Sequence, residues 1–287
     1  VSAPGRLQPT DWLVWVYNLA ALLAVAASRR TLSGWTWLAA AHVMVLVAVP
    51  PVAWNDRRGP GSPGRYVHLW YPVALLVWLY GEAGALRHLW VPHDLDAWVE
   101  AWDAALFPGR LYAWLLERGW PLVLDLLHGL YFSYYPLLFV PGLVAQRRRS
   151  APVEARLREY VFVLLLAMLL HYVAGVLFPV SGPLALRRRL LPEGFLFIPL
   201  LEGIYAAFDR GGLAFPSTHV AAALIAAYYG GELFPGRRGA YASWAALVAL
   251  ATVACGFHYT VDAVAGALSG ALCLLAGREA WRRLGAG

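Results

Sequence analysis

Apolar residues run along this chain in long blocks, and polar residues mark where each block stops. A helix that crosses a bilayer needs about 20 such residues. Eight blocks approach that length, at roughly 11–28, 34–53, 66–86, 120–143, 157–178, 217–234, 240–258 and 259–277. The pattern predicts an all-α polytopic transmembrane bundle of about eight spans. The last two blocks are joined by almost nothing, which puts His258 and Tyr259 at a tight turn. Between the third and fourth blocks, residues 93–119 are Trp-rich and acidic on one face, and read as interfacial helices at about 92–118. The loop from Ser181 to Ser217 is long, with an apolar middle able to dip into the interface.

Composition agrees with the blocks. The chain has 287 residues, of which 60% are hydrophobic and 14% charged, against about 25% charged in soluble domains. All 23 basic residues are Arg. The net charge of +6 reads better as loop arginines that anchor and orient a membrane protein than as a nucleic-acid surface. Cys255 and Cys273 both lie in apolar stretches, as small hydrophobes rather than a disulfide or metal pair. The first block begins near Trp12 and is long enough to remain as a span rather than be cleaved as a signal peptide.

Arginine placement predicts the orientation. Arg6, Arg57, Arg58, Arg65, Arg147, Arg148, Arg149, Arg156, Arg158, Arg237, Arg238, Arg278, Arg282 and Arg283 belong to the N-terminus and the loops after even-numbered blocks. The other face carries the remaining nine of the 23, offset by Asp94, Asp96, Glu100, Asp103, Glu193 and Asp209. The positive-inside rule then puts both termini in the cytoplasm of a bacterial-type plasma membrane, with the turns at 216–219 and 258 on the other side.

Three polar clusters end on that outer face. The fifth block finishes in LFPVSGPLALRRR, the sixth opens with FPSTH, and CGFHYTVD links the seventh to the eighth. Ser217 after Pro216 is a candidate helix N-cap. The free amides of that first turn, with the helix dipole, favour an anion. His219 sits in the same turn as a possible proton donor. His258 and Asp262 are four apart, on one face if both are helical. A carboxylate on one imidazole nitrogen fixes the tautomer and leaves the other nitrogen to attack. An anion cradle, two histidines with opposite roles and nearby arginines describe phosphoryl transfer. Each cluster alone has a blander reading. A lone interfacial His is usually structural, PSTH is a good cap, and Arg187-Arg188-Arg189 could be lipid-headgroup anchors. Their coincidence on one face is what points to function.

These residues resemble the type-2 phosphatidic acid phosphatase superfamily, whose motifs read K-x6-R-P, P-S-G-H and S-R-x5-H-x3-D. Pro216-Ser217-Thr218-His219 matches the second with Thr218 in place of Gly, and His258 and Asp262 match the end of the third. The resemblance implies that His258 is a nucleophile forming a phosphohistidine, that His219 protonates the leaving oxygen and that Asp262 orients His258. The first motif is absent as written, and the third-motif Arg falls at Thr252. The segment FPVSGP, HYTVD and the YFSYYP of Tyr131 to Pro136 resemble the branch containing inositol phosphorylceramide synthase. Ser217, Thr218, Arg187, Arg188 and Arg210 are the candidates for holding the phosphate.

The expected function is an integral-membrane lipid-phosphate phosphatase acting on a phospholipid or prenyl phosphate, without metal or other cofactor. The alternative is a phosphotransferase that moves a phospho-headgroup to a lipid alcohol. Expected partners are the lipid phosphate and membrane lipids, not nucleic acid. Residues 1–65 would be two added helices on a six-helix core at 66–287. The imidazoles of His219 and His258 should face each other across a phosphate-sized gap, with Asp262 hydrogen-bonded to His258. Two rivals remain: a transporter, with Glu82, Asp125, His128 and His171 along a polar path, and a catalytically dead lipid-binding scaffold.

Overall fold

The computed structural model describes residues 7–56, 62–208 and 211–284. Arg6, Arg57, Arg58 and Asp209, which enter the orientation argument, lie outside them. The described residues are all-helical, with one isolated bridge between Val180 and Leu213. Three long helices open the chain: α1 (Pro9–Ala27), α2 (Trp35–Asn55) and α3 (Pro63–Leu86). Two short ones follow at the expected interfacial stretch, α4 (Asp96–Leu106) and α5 (Leu111–Arg118). Next come α6 (Pro121–Phe132), α7 (Tyr134–Gln146) and α8 (Ala151–Leu177). The loop after them is itself helical, as α9 (Leu184–Leu190) and α10 (Phe197–Phe208). The last three are α11 (Thr218–Leu233), α12 (Arg238–Ala254) and α13 (Thr260–Leu284).

Six segments are long and apolar enough to cross a membrane: α1, α2, α3, α6 with α7, α8 and α13. The helices at the sixth and seventh apolar blocks, α11 and α12, have 16 and 17 residues. At 1.5 Å per residue each is about 25 Å long, a little short of a typical hydrocarbon core of about 30 Å. The α6–α7 segment breaks at Ser133 because Pro136 has no N–H to offer the Phe132 carbonyl. Ser133 accepts the indole N–H of Trp244 at 2.7 Å, tying the break to α12.

Lipid tails are as apolar as Leu, so helices associate in a bilayer through close packing and hydrogen bonds. Helix α11 shows this best, enclosed by α7, α8, α12 and α13. It crosses α13 at Gly266 and Gly270, four residues apart. A Cβ at Gly266 would lie 2.5 Å from the Ser217 carbonyl oxygen, and one at Gly270 2.7 Å from the Ala221 Cα. The backbones therefore touch there, which only glycine permits.

Polar contacts knit the rest. Asp11 on α1 takes hydrogen bonds from His68 and Tyr71 on α3, the latter at 2.7 Å. Deeper in the same interface His42 contacts Asn18 at 2.9 Å and pairs closely with Glu82. At one end of the bundle Arg65 and Arg158 pair with Glu154, Arg156 and Arg278 with Glu159, and Arg238 with Glu232. These five arginines, all assigned to one face by sequence, thus gather at one end. The three polar clusters meet at the other.

Candidate active site

The turn that presents His258 follows from Gly256. Helix α12 ends with Gly256 at φ +70°, a conformation open to glycine and strained for other residues. The Phe257 N–H reaches back to the Thr252 carbonyl at 3.1 Å and the Gly256 N–H to the Val253 carbonyl at 2.9 Å. These two bonds close the helix as a Schellman motif. His258 therefore lies in the turn, as the near-absence of residues between the seventh and eighth blocks predicts, and its four-residue spacing from Asp262 does not run along one helix. Its own N–H also bonds the Thr252 carbonyl, at 3.2 Å. Thr252, where the family pattern has Arg, is wholly buried and serves as this anchor.

Asp262 is the third residue of α13, and its Oδ2 accepts the Tyr259 N–H at 2.9 Å. This is the carboxylate half of a capping box. The same oxygen lies 3.5 Å from His258 Nδ1, so the pair is aligned but not in hydrogen-bond contact. The expected bond is long because Tyr259 already holds the carboxylate. His258 Nε2 lies 3.2 Å from the Ser217 hydroxyl. That hydroxyl also caps α11, accepting the Val220 N–H at 3.4 Å. The Ser217 N–H bonds the Asp262 carbonyl at 3.0 Å, so main chain joins the two motifs.

His219 enters from α11. Its ring centroid is 5.8 Å from that of His258, with the planes 64° apart. The Tyr131 hydroxyl is 2.8 Å from His219 Nε2, and Nδ1 is buried without a partner. The two imidazoles do face each other, but across about 20 Å³ rather than a phosphate-sized gap. That is room for roughly one water. The walls that narrow it include Tyr205, Leu184 and Phe257.

This small chamber lies between two larger cavities. A polar vestibule of about 780 Å³ shares Ser181, Leu184, Tyr205 and Gly211 with it. An apolar chamber of about 380 Å³, lined by residues such as Val73, Leu76, Phe132 and Ile204, shares Tyr80, Tyr205 and His219. Thr218 faces the apolar chamber rather than the gap between the histidines.

The arginines divide. Arg187 is only 3% exposed. It donates to the Cys255 carbonyl and to His128 Nε2, both at 3.0 Å, and pairs with Glu202 at 2.6 Å. Its guanidinium lies 4.1 Å from the centre of the Phe257 ring. It is a clamp on the turn that carries His258. Arg188 and Arg189 are exposed at the vestibule. Arg210 lies outside the described residues.

Three carboxylates that entered the sequence reading only as charge balance hold the site in place. Asp96 accepts the Ser181 and Gly182 N–H groups at 3.0 and 2.8 Å. Asp94 accepts the Ser181 hydroxyl at 2.6 Å, and Asp103 accepts the Val261 N–H at the start of α13 at 2.8 Å. Burial pushes the Asp96 carboxyl above its ordinary value, with the neighbouring Asp94 charge adding to it, against the pull of the two amides. Burial likewise raises Asp103. At Asp94 burial acts upward too, but the Ser181 hydroxyl, His88 and the Arg87 charge outweigh it and hold the carboxyl below the usual range. Nothing in the local sequence pairs these residues with loops roughly 85 to 160 positions away.

The residues of the transporter reading do not gather along one route. Glu82 is bonded to His42, and Asp125 accepts the N–H groups of Phe195, Leu196 and Ile198. His128 donates to the Leu124 carbonyl, and His171 contacts Ser269. Among the described residues no group of His, Cys, Asp and Glu is placed to hold a metal ion.

The sequence model of one family, described as the PAP2 superfamily, matches residues 98–276, well over half of the chain. No curated protein matches, and no solved structure matches.

Proposed function

The chain belongs to the PAP2 superfamily, and from that premise we infer that it is an integral-membrane lipid-phosphate phosphatase working through a phosphohistidine. Membership makes it a lipid enzyme of the phosphatase or phosphotransferase type. The observation that carries the finer reading is the placement of both imidazoles on one small chamber between a polar and an apolar cavity.

The apolar chamber suits the lipid moiety and the vestibule suits water. His219 lines the apolar side and His258 does not. His258 Nε2 attacks phosphorus from the far side while His219 protonates the lipid oxygen that leaves. Ser217 gives up its contact with Nε2 to bond a phosphate oxygen, beside the free amides of the first turn of α11. Asp262, 3.5 Å from Nδ1, closes that gap to a hydrogen bond when substrate binds and so fixes the His258 tautomer. Arg187 supplies positive charge from behind the turn, and Arg188 meets the headgroup side of the substrate, with Thr218 against the lipid. Catalysis here is charge stabilisation by donors fixed in advance. Residues 66–287 form the working core and residues 1–65 an added helix pair. The termini are cytoplasmic and the site opens on the other face of the plasma membrane.

The test separates the histidines by leaving group. His258→Ala should lose turnover and phosphoenzyme with every substrate. His219→Ala should lose roughly 10²–10⁴-fold on an alkyl phosphate, the usual worth of general acid catalysis, and recover much of it on p-nitrophenyl phosphate. Near-normal activity in His258→Ala would remove the covalent mechanism. One observation favours a second reading, headgroup transfer in the manner of inositol phosphorylceramide synthase: the vestibule, at about 780 Å³, is larger than a bare phosphate needs. A lipid labelled in its phosphate distinguishes them, by release of free phosphate or by label on a second lipid.

A further inference from the structure

The two histidines are supported differently. His258 faces the carboxylate of Asp262, whereas His219 has the Tyr131 hydroxyl at 2.8 Å on Nε2 and an unpartnered, buried Nδ1. The Tyr131 hydroxyl makes a second, short hydrogen bond to that of Tyr205. Tyr131 is completely buried. Both phenol rings stack on Phe257, the neighbour of His258, at 4.4 and 4.9 Å between centroids. Tyr205 lines the vestibule as well as both chambers. The hydroxyls of Tyr205 and Tyr131 and the His219 ring thus form a line from the polar vestibule to the imidazole.

We propose that Tyr205 and Tyr131 are a proton relay serving His219, a role that rests on the phosphohistidine reading above. The relay answers a problem of charge. An imidazolium at His219 would have no carboxylate beside it, and an unpaired charge next to an apolar chamber is costly. A relay lets His219 act without storing that charge. With the chain of donors pointing inward, Tyr205 donates to Tyr131, Tyr131 donates to Nε2, and the proton of the neutral imidazole sits on Nδ1.

In the first half-reaction the bond from His258 Nε2 to phosphorus forms as the bond to the leaving oxygen breaks. The Nδ1 proton of His219 goes to that oxygen. The Tyr131 proton moves to Nε2, the Tyr205 proton to Tyr131, and a proton from vestibule water refills Tyr205. His219 is left neutral with a lone pair on Nδ1, which is the form of a base. In the second half-reaction water attacks phosphorus and the phosphorus–nitrogen bond breaks. The proton of that water goes to Nδ1, and the relay runs outward, returning one proton to the solvent. Tyr131 and Tyr205 are positioning residues in this scheme, since neither touches the substrate phosphorus.

The test is a proton inventory in mixtures of light and heavy water. It follows single-turnover release of the leaving group by the full-length protein in detergent. The probes are a short-chain phosphatidate and p-nitrophenyl phosphate. Wild type on phosphatidate should give a curved inventory, with several protons in flight. Tyr131→Phe keeps the ring stack on Phe257 but should be slower by roughly 10²-fold, with a linear inventory. On p-nitrophenyl phosphate, whose leaving oxygen needs little protonation, the same variant should lose much less. Tyr205→Phe interrupts the line at its outer end and should also turn the inventory linear. A packing role would slow both substrates alike and leave the curvature. A linear inventory in wild type overturns the relay, as does curvature kept in both variants. Failure of the underlying reading looks different: a His258→Ala protein that still turns over either probe, or a wild type that turns over neither.

Discussion

Replacing Arg187 by Met should destabilise the protein and displace His258, rather than merely weaken substrate binding. Met keeps the unbranched stem and removes the guanidinium. The wholly buried Cys255 carbonyl then loses its side-chain donor, an unsatisfied acceptor worth about 1–3 kcal/mol. The contact over Phe257 adds about 0.5–2 kcal/mol. Glu202 contributes little to the loss, because its side chain is 44% exposed and rehydrates. The sum is about 1.5–5 kcal/mol, or a fall in melting temperature of roughly 3–20 °C for a protein of this size. Arg189→Met, at an exposed position without a partner, should stay within about 0.5 kcal/mol of wild type. The assay is thermal unfolding in detergent followed by tryptophan fluorescence, alongside kcat and KM. Because Arg187 holds the turn that presents His258, kcat should drop by about 10²-fold, the usual effect of misplacing a reacting group by an ångström. A variant that melts with wild type and shows only a raised KM would refute the clamp and make Arg187 a plain phosphate ligand.

Asp94, with its carboxyl held below the ordinary value, stabilises the fold above the usual carboxylate range. That contribution should disappear as the pH falls below about 4, so the acid limb of the melting-temperature profile should be steeper in wild type than in Asp94→Asn. Matching limbs would mean that Asp94 does not secure Ser181. Gly266→Val should cost about 1–3 kcal/mol through overpacking against the Ser217 backbone and abolish turnover. Gly81→Ala, with open space around the new Cβ, is the control, and equal effects would disprove the backbone contact. A cysteine at Gly236, exposed between α11 and α12, should react with an impermeant maleimide only after the cells are opened. Labelling of intact cells would reverse the proposed orientation.

What the sequence made legible was whatever it encodes locally. The long helices α1, α2, α3, α6–α7, α8 and α13 follow from length and hydropathy, because a bilayer demands both. The Ser217 cap is legible because its acceptor and donor are three residues apart. His258 and Asp262 read correctly as neighbours, and His258 as a turn residue, whereas a shared helical face does not apply. Gly256 ends the helix before His258, and a positive φ after a run of helix formers could have been expected there. The G-x-x-x-G spacing of Gly266 and Gly270 entered no expectation above, although it is local and marks close helix packing. The remaining support is written in no local period. Asp96 to Gly182, Asp103 to Val261 and Tyr131 to His219 join segments far apart in the chain, and each side chain taken alone looks like an ordinary interfacial acid or aromatic.

The backbone crossing of α11 and α13 bears on how a protein of this kind changes its diet of lipids. One imidazole rides on α11 and the other on the turn leading into α13, and those elements are locked by glycine contacts and by the bond from Ser217 N–H to the Asp262 carbonyl. The walls of the apolar chamber come largely from α3, α6, α7, α8 and α10, through side chains such as Val73, Phe132, Leu164 and Ile204. On the proposed function, substitutions on those walls can lengthen, widen or bend the space for a tail while the two imidazoles keep their spacing. Selectivity is therefore free to drift in small steps, with no intermediate that must first give up the chemistry.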